Sequence, residues 1–156
     1  MIDSGILEAL RIIVKHLKSK DIRWTVMGSV SLALQGVDVN PNDVDILTDE
    51  HGAFTIGALL EEYEVKPISF SRTDLFESFY GLYYIEGTKV EVMGNLRVKL
   101  EGIWVSLSNR LKSPIHVQMG SLNIPVSLLH DQLQFYEKLG RDKDKERILK
   151  IREVLK

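Results

Sequence analysis

At 156 residues with 44% hydrophobic side chains, the chain is sized for one domain with one packed core. Its 20 Lys and Arg against 22 Asp and Glu give a net charge of −2, which excludes nucleic-acid capture by a global positive field and leaves that task to a local basic patch. With no cysteine, disulfide frameworks, thiolate metal sites, iron–sulfur clusters and cysteine nucleophiles are all excluded.

No apolar run approaches the ~20 residues of a membrane span, and Met1-Ile2-Asp3-Ser4 does not lead into a signal core. No membrane partner and a cytoplasmic location are therefore expected. The 11 glycines and 4 prolines are scattered, and there is neither a low-complexity linker nor an internal repeat. The expected organisation is a single domain over residues 1–156, with a sheet-containing core over 1–124 and helices over 125–156.

In chain order, Ile6, Leu10, Ile13 and Leu17 recur at helical spacing behind Asp3 and Ser4, which predicts an amphipathic helix over about 4–19. A short buried strand, 24–27, ends abruptly at Gly28, and a short helix over 29–35 is closed by Gly36. The stretch 38–42 is turn chemistry around Pro41, followed by a strand over 44–47. A helix is expected over 55–63, then strands over 79–85 and 89–93 joined by a hairpin turn at Glu86-Gly87-Thr88, with Glu91 in mid-strand. Residues 94–124 read as further short strands of unresolved pairing. Leu129, Leu133 and Tyr136 predict a helix over 127–139 stopped by Gly140, and Ile148, Ile151 and Leu155 a last one. The pattern is α/β (α+β), a mixed central sheet flanked by helices, with a carboxyl-terminal helical pair.

The chemistry concentrates in three places. Asp43 and Asp45 flank Val44, and alternate residues of a strand share a face, so both carboxylates point the same way. Two acids so placed call for a cation or a basic partner, and magnesium, which takes oxygen ligands and is commonly shared between carboxylates and substrate phosphates, is the natural one. Glu91, alternating with Val90 and Val92 on a neighbouring strand, would complete the ligands for a second ion. The Gly28-Ser29 turn supplies the other half, since glycine lets backbone approach a ligand and a helix start presents N–H groups to phosphate.

Lys138 and Arg141, about one helical turn apart, are candidates to neutralise phosphate. The competing reading of the aspartates is a solvated strand edge. An EF-hand loop starting at Asp38 fails because Asp43 stands at its turn glycine and Asp49 at its bidentate glutamate. The four histidines show no metal spacing, and Ser29 has no evident His–Asp relay.

Met27-Gly28-Ser29, then a short helix, then Asp43-Val44-Asp45 on a strand and Glu91 on a later one, resembles the signature of the DNA polymerase beta-like nucleotidyltransferase superfamily, as its small prokaryotic members carry it. The segment Leu139-Gly140-Arg141-Asp142-Lys143-Asp144 is similar to the carboxyl-terminal part of those members. The resemblance implies the nucleotidyltransferase fold and transfer of a nucleoside monophosphate from a nucleoside triphosphate, ATP first among them, to an acceptor hydroxyl with release of pyrophosphate. It implies that Gly28 and Ser29 hold the triphosphate, that Asp43 and Asp45 bind both of two magnesium ions, manganese being an alternative, and that Glu91 completes the ion nearest the acceptor. The acceptor class stays open between small molecule, protein and RNA. An acceptor platform supplied by a second copy or a partner protein is compatible with so small a chain. Val39 and Pro41 stand where related small members often carry Arg and Thr. That difference keeps a second reading in view, a non-catalytic nucleotide-binding or regulatory subunit retaining the fold.

Overall fold

Helix α1 (Ser4–Leu17) starts where the Asp3 carboxylate accepts a hydrogen bond from the Ile6 N–H at 2.8 Å, satisfying one of the donors that a helix start leaves over. The computed structural model describes residues 2–156. Ile6, Leu10, Ile13 and Leu17 are all buried, as their spacing predicts. Strand β1 (Trp24–Met27) runs into α2 (Gly28–Leu34), and β2 (Asp43–Thr48) into α3 (Glu50–Leu59). There follow β3 (Glu64–Arg72), β4 (Phe76–Ile85), β5 (Thr88–Leu100), β6 (Ile103–Ser106), β7 (Ile115–Met119) and β8 (Leu122–Val126), then α4 (Leu129–Leu139) and α5 (Lys145–Leu155).

The strands form one mixed sheet in the order β3-β4-β5-β2-β1-β8-β7, with β6 also paired to β5. β2 pairs with β5, and β1 with β8, in parallel, while the other pairings are antiparallel. The period of two sends alternate residues of β1 and β2 to two different cores, and on β5 an irregularity near Asn95, whose φ is +54°, brings Leu96 and Val98 to the face opposite Val90 and Val92. Val26, Val44, Ile46, Val90 and Val92 pack with α1 and α3 on one face. Met27, Leu47, Leu96 and Val98 pack with Phe135, Tyr136 and Ile151 from the carboxyl-terminal helices on the other. Asp43, Asp45 and Glu91, out of phase with the first set, therefore belong to the second face.

Three expectations need correction. The helix expected over 55–63 begins at Glu50, because Asp49 caps it by accepting from the Gly52 N–H at 2.7 Å, and it ends at Leu59. The strand β5 is 13 residues long, so Glu91 is its fourth residue and not its middle. β3 was not anticipated: it is an edge strand whose residues are exposed except for half-buried Ile68, and Pro67 breaks its pattern. An edge strand buries too little to print an apolar alternation on its sequence.

Candidate active site

The parallel register of β2 and β5 places Asp45 directly opposite Glu91 and Asp43 opposite Lys89. Like charges across a ladder are unfavourable, and here Asp43 joins the pair from the same strand face. One carboxylate oxygen from each of Asp43, Asp45 and Glu91 lies within 4.8 Å of the others, and all three side chains are half-buried. The Asp45 carboxyl carries the consequence. Burial first, then the charges of Glu91 and Asp43, push its pKa up from 3.8 to about 7 against weaker opposition from Arg147 and Lys89.

Glu91 is held on two sides. The Tyr80 hydroxyl on β4 donates to it at 2.7 Å, and Lys89 Nζ stands 3.7 Å away. Burial and the Glu91 hydrogen bond hold the Tyr80 phenol above its usual range, so it stays a donor. Lys89 and Arg147 leave the cluster short of positive charge, as the elevated Asp45 shows. Three hard oxygen donors converging in a half-buried place fit a divalent cation of the magnesium type.

Gly28 closes the site from β1, and its place there is fixed by two constraints. Its φ of +74° is a left-handed conformation that L side chains avoid, and a Cβ added to it would stand 2.5 Å from Asp45 Oδ2. The sequence reading of free N–H groups at this turn is corrected at Gly28 itself, whose N–H donates to Gln132 Oε1 at 2.9 Å. Gln132, fully buried on α4, also donates through Nε2 to Ser31 Oγ at 3.0 Å and to the Ser127 carbonyl at 3.1 Å. This one side chain ties the turn, α2 and the end of β8 together. Spacing gave no sign of it, because the partners are about a hundred residues apart along the chain.

The carboxylates open into a cavity of about 500 Å³ that is also lined by Gly28, Ser29, Tyr80, Tyr136, Arg141, Lys143 and Arg147. That is within the ~300–1,000 Å³ of small-molecule sites. Six of the seven residues singled out from sequence line it together; Lys138 does not. Gly140 is the reason: with φ of 61° it stops α4, its N–H donating to the Tyr136 carbonyl at 3.0 Å. Lys138 and Arg141 therefore do not share a helical face. Lys138 is exposed, while Arg141 turns inward and binds Asp144 at 2.6 and 3.0 Å. Arg147, which sequence reading missed, lies on α5 with its guanidinium 5.5 Å from the centre of the Tyr136 ring. The spacing of Lys143, Arg147 and Lys150, which together line the adjoining 260 Å³ hollow beside Ser29 and Asn42, was the available signal.

A glycine turn facing three carboxylates across parallel strands, on this sheet, defines an enzyme of the nucleotidyltransferase class. Residues 9–151 match the family described as aminoglycoside-2''-adenylyltransferase, and the chain belongs to that family. Among solved structures it is similar to TM1012 of Thermotoga maritima, assigned provisionally as a nucleotidyltransferase, with 40% identity over 96% of this chain and 94% of that one and a TM-score of 0.85. The lincosamide antibiotic adenylyltransferase LnuA, solved with lincomycin, shares the fold at 14% identity, covering 98% of both chains with a TM-score of 0.61. So does ANT(2")-Ia, solved with adenylyl-2"-tobramycin, at 8% identity over 94% of this chain and 85% of that one, TM-score 0.57. No curated protein matches the sequence. No helix among the described residues is long and apolar enough to cross a membrane.

Proposed function

We propose that the enzyme moves a nucleoside monophosphate from a nucleoside triphosphate, ATP first among them, to an acceptor hydroxyl, with pyrophosphate as the leaving group. The observation that carries this is the convergence of Asp43, Asp45 and Glu91 within 4.8 Å, beside a glycine turn and a wall of cations. Asp43 and Asp45 would hold two magnesium ions, with Glu91 completing one of them; manganese would serve in their place. When bound, such ions neutralise triphosphate charge and lower the pKa of a coordinated hydroxyl.

The remaining work falls to the chain itself. Gly28 leaves room for substrate against Asp45, and Ser29 stands at the mouth of the turn. Arg141, Lys143 and Arg147 line the cavity and offer positive charge to the phosphates. The Tyr80 hydroxyl, donating to Glu91, orients it so that Glu91 can take the acceptor proton as the acceptor oxygen bonds to the α-phosphorus and the bond to the bridging oxygen breaks. Lys138 has no part in this arrangement.

Ligand linkage tests the reading. Magnesium and ATP at a hundredfold excess over the dissociation constant should stabilise the fold by about 2.7 kcal/mol. That corresponds to a rise in melting temperature of roughly 4 °C or more. ATP without a divalent ion, or with Asp43→Asn and Asp45→Asn combined, should give far less. No shift with magnesium and any of ATP, GTP, CTP or UTP would refute the nucleotide reading. A shift with no pyrophosphate release across protein, RNA and small-molecule acceptors would favour a non-catalytic subunit, the reading to which Val39 and Pro41 point.

A further inference from the structure

Ser29, Ser71, Thr73, Ser78, Tyr80 and Tyr136 bring hydroxyl groups to the lining of the cavity. Among the described residues, Tyr80 is the one of these that hydrogen-bonds a converging carboxylate, donating to Glu91 Oε2 at 2.7 Å. The pairing of β4 with β5 sets this contact. Leu82 stands directly opposite Glu91 and Tyr80 opposite Met93, so the phenol reaches Glu91 along the diagonal of the ladder, a span that a ring side chain covers. β4 is paired on both sides, with β3 and with β5, so the ring that carries this hydroxyl is mounted on the sheet and not on a loop.

The transfer reading above requires an acceptor O–H within hydrogen-bond distance of Glu91, beside the carboxylate oxygens that lie within 4.8 Å of one another. The Tyr80 hydroxyl already meets that requirement: it is half-buried, lines the cavity and is bonded to the carboxylate that takes the proton. While an outside acceptor is bound, the same bond serves to orient Glu91. With the acceptor side empty, the O–H held at Glu91 belongs to the chain itself. Like the alcohol it stands in for, it meets phosphorus as a neutral hydroxyl and sheds its proton in the step.

Resting on that transfer reading, we propose that Tyr80 is itself a modification site: when no outside acceptor fills the cavity, the enzyme moves a nucleoside monophosphate from its own triphosphate substrate to the Tyr80 hydroxyl. A bond forms between Tyr80 Oη and the α-phosphorus as the bond from that phosphorus to the bridging oxygen breaks. Pyrophosphate leaves with the electron pair, and the phenolic proton passes to Glu91 Oε2, to which it is already hydrogen-bonded. The product is a tyrosyl phosphodiester. It removes the O–H donor from Glu91 and fills the acceptor side of the cavity, so the modified chain is closed to an outside acceptor.

The test is intact-mass analysis of the full chain after incubation with magnesium and ATP and no added acceptor, followed by peptide mapping of the adduct. Wild type should gain the mass of one nucleoside monophosphate per chain, and mapping should place it on the Tyr80 side chain. Tyr80→Phe should gain none while keeping the rise in melting temperature with magnesium and ATP, since the phenol is not needed to hold the triphosphate. Asp43→Asn combined with Asp45→Asn should gain none either. An unmodified wild type, an adduct on another residue, or an adduct that persists in that double variant would each overturn the inference, and mapping of the wild type decides the matter even where Tyr80→Phe fails to fold. The transfer reading is judged separately. A wild type that stays unmodified, yet shifts in melting temperature and releases pyrophosphate once acceptors are added, loses the Tyr80 assignment alone, whereas no shift and no release removes both.

Discussion

Asp45→Asn isolates the electrostatic stress on which the site depends. In the metal-free protein the Asp45 carboxyl is pushed up to about 7 from 3.8, by burial, Glu91 and Asp43 in that order. Below pH 4 it is protonated in the folded and the unfolded chain alike and contributes no difference. As the pH rises from about 4 to 7 the unfolded chain releases the proton while the folded one retains it, so stability falls across that window and stays lower above it. A displacement of roughly three pH units corresponds to a ceiling of about 4 kcal/mol, on the order of 10 °C in melting temperature for a domain of this size. In EDTA, wild type should therefore lose melting temperature between pH 4 and pH 8 relative to Asp45→Asn, and the mutant should be the more stable protein at pH 8. Added magnesium should restore the wild type at pH 8 and leave the mutant nearly unmoved. An equal difference between the two proteins at both pH values would refute the argument, as would wild-type magnesium affinity in the mutant.

Three further outcomes follow from the same geometry. Gly28→Ala should cost about 1–2 kcal/mol for its left-handed backbone, and it should displace the Asp45 carboxylate, so that calorimetry finds magnesium binding weakened even where circular dichroism remains native. Gln132→Leu leaves the buried Gly28 N–H without its partner, while the Ser31 hydroxyl keeps Gln35 and the Ser127 carbonyl, for an expected loss of about 1–3 kcal/mol in denaturant titrations. Arg147→Ala should raise the KM for nucleoside triphosphate with kcat less affected, because Arg147 lines the cavity without touching the carboxylates that face the acceptor. A fall in kcat alone would instead place Arg147 at the reacting phosphorus.

Local sequence determined a good deal about this protein. The spacing of Ile6, Leu10, Ile13 and Leu17 dictated which face of α1 is buried, since a helical period needs only neighbouring residues to declare itself. The alternation through Asp43, Val44, Asp45 and Ile46 likewise told which side chains share a face, because the pleat of a strand allows no other outcome. Gly28 could be read as a turn next to a ligand for a reason of the same kind, its missing Cβ. Tertiary structure alone decided the rest. Asp45 meets Glu91 only through the register of two strands paired in parallel across an intervening β3–β4 excursion, and nothing local sets that register. Gln132 occupies the Gly28 N–H, and Arg147 instead of Lys138 reaches the cavity, because α4 stops at Gly140 and α5 folds back beside the carboxylates. β3 left no pattern to read, since an edge strand that buries one side chain in part has no core to select its alternation. Periodicity records what each residue faces within its own element; which elements face each other is set by the packing of two cores on opposite sides of one sheet.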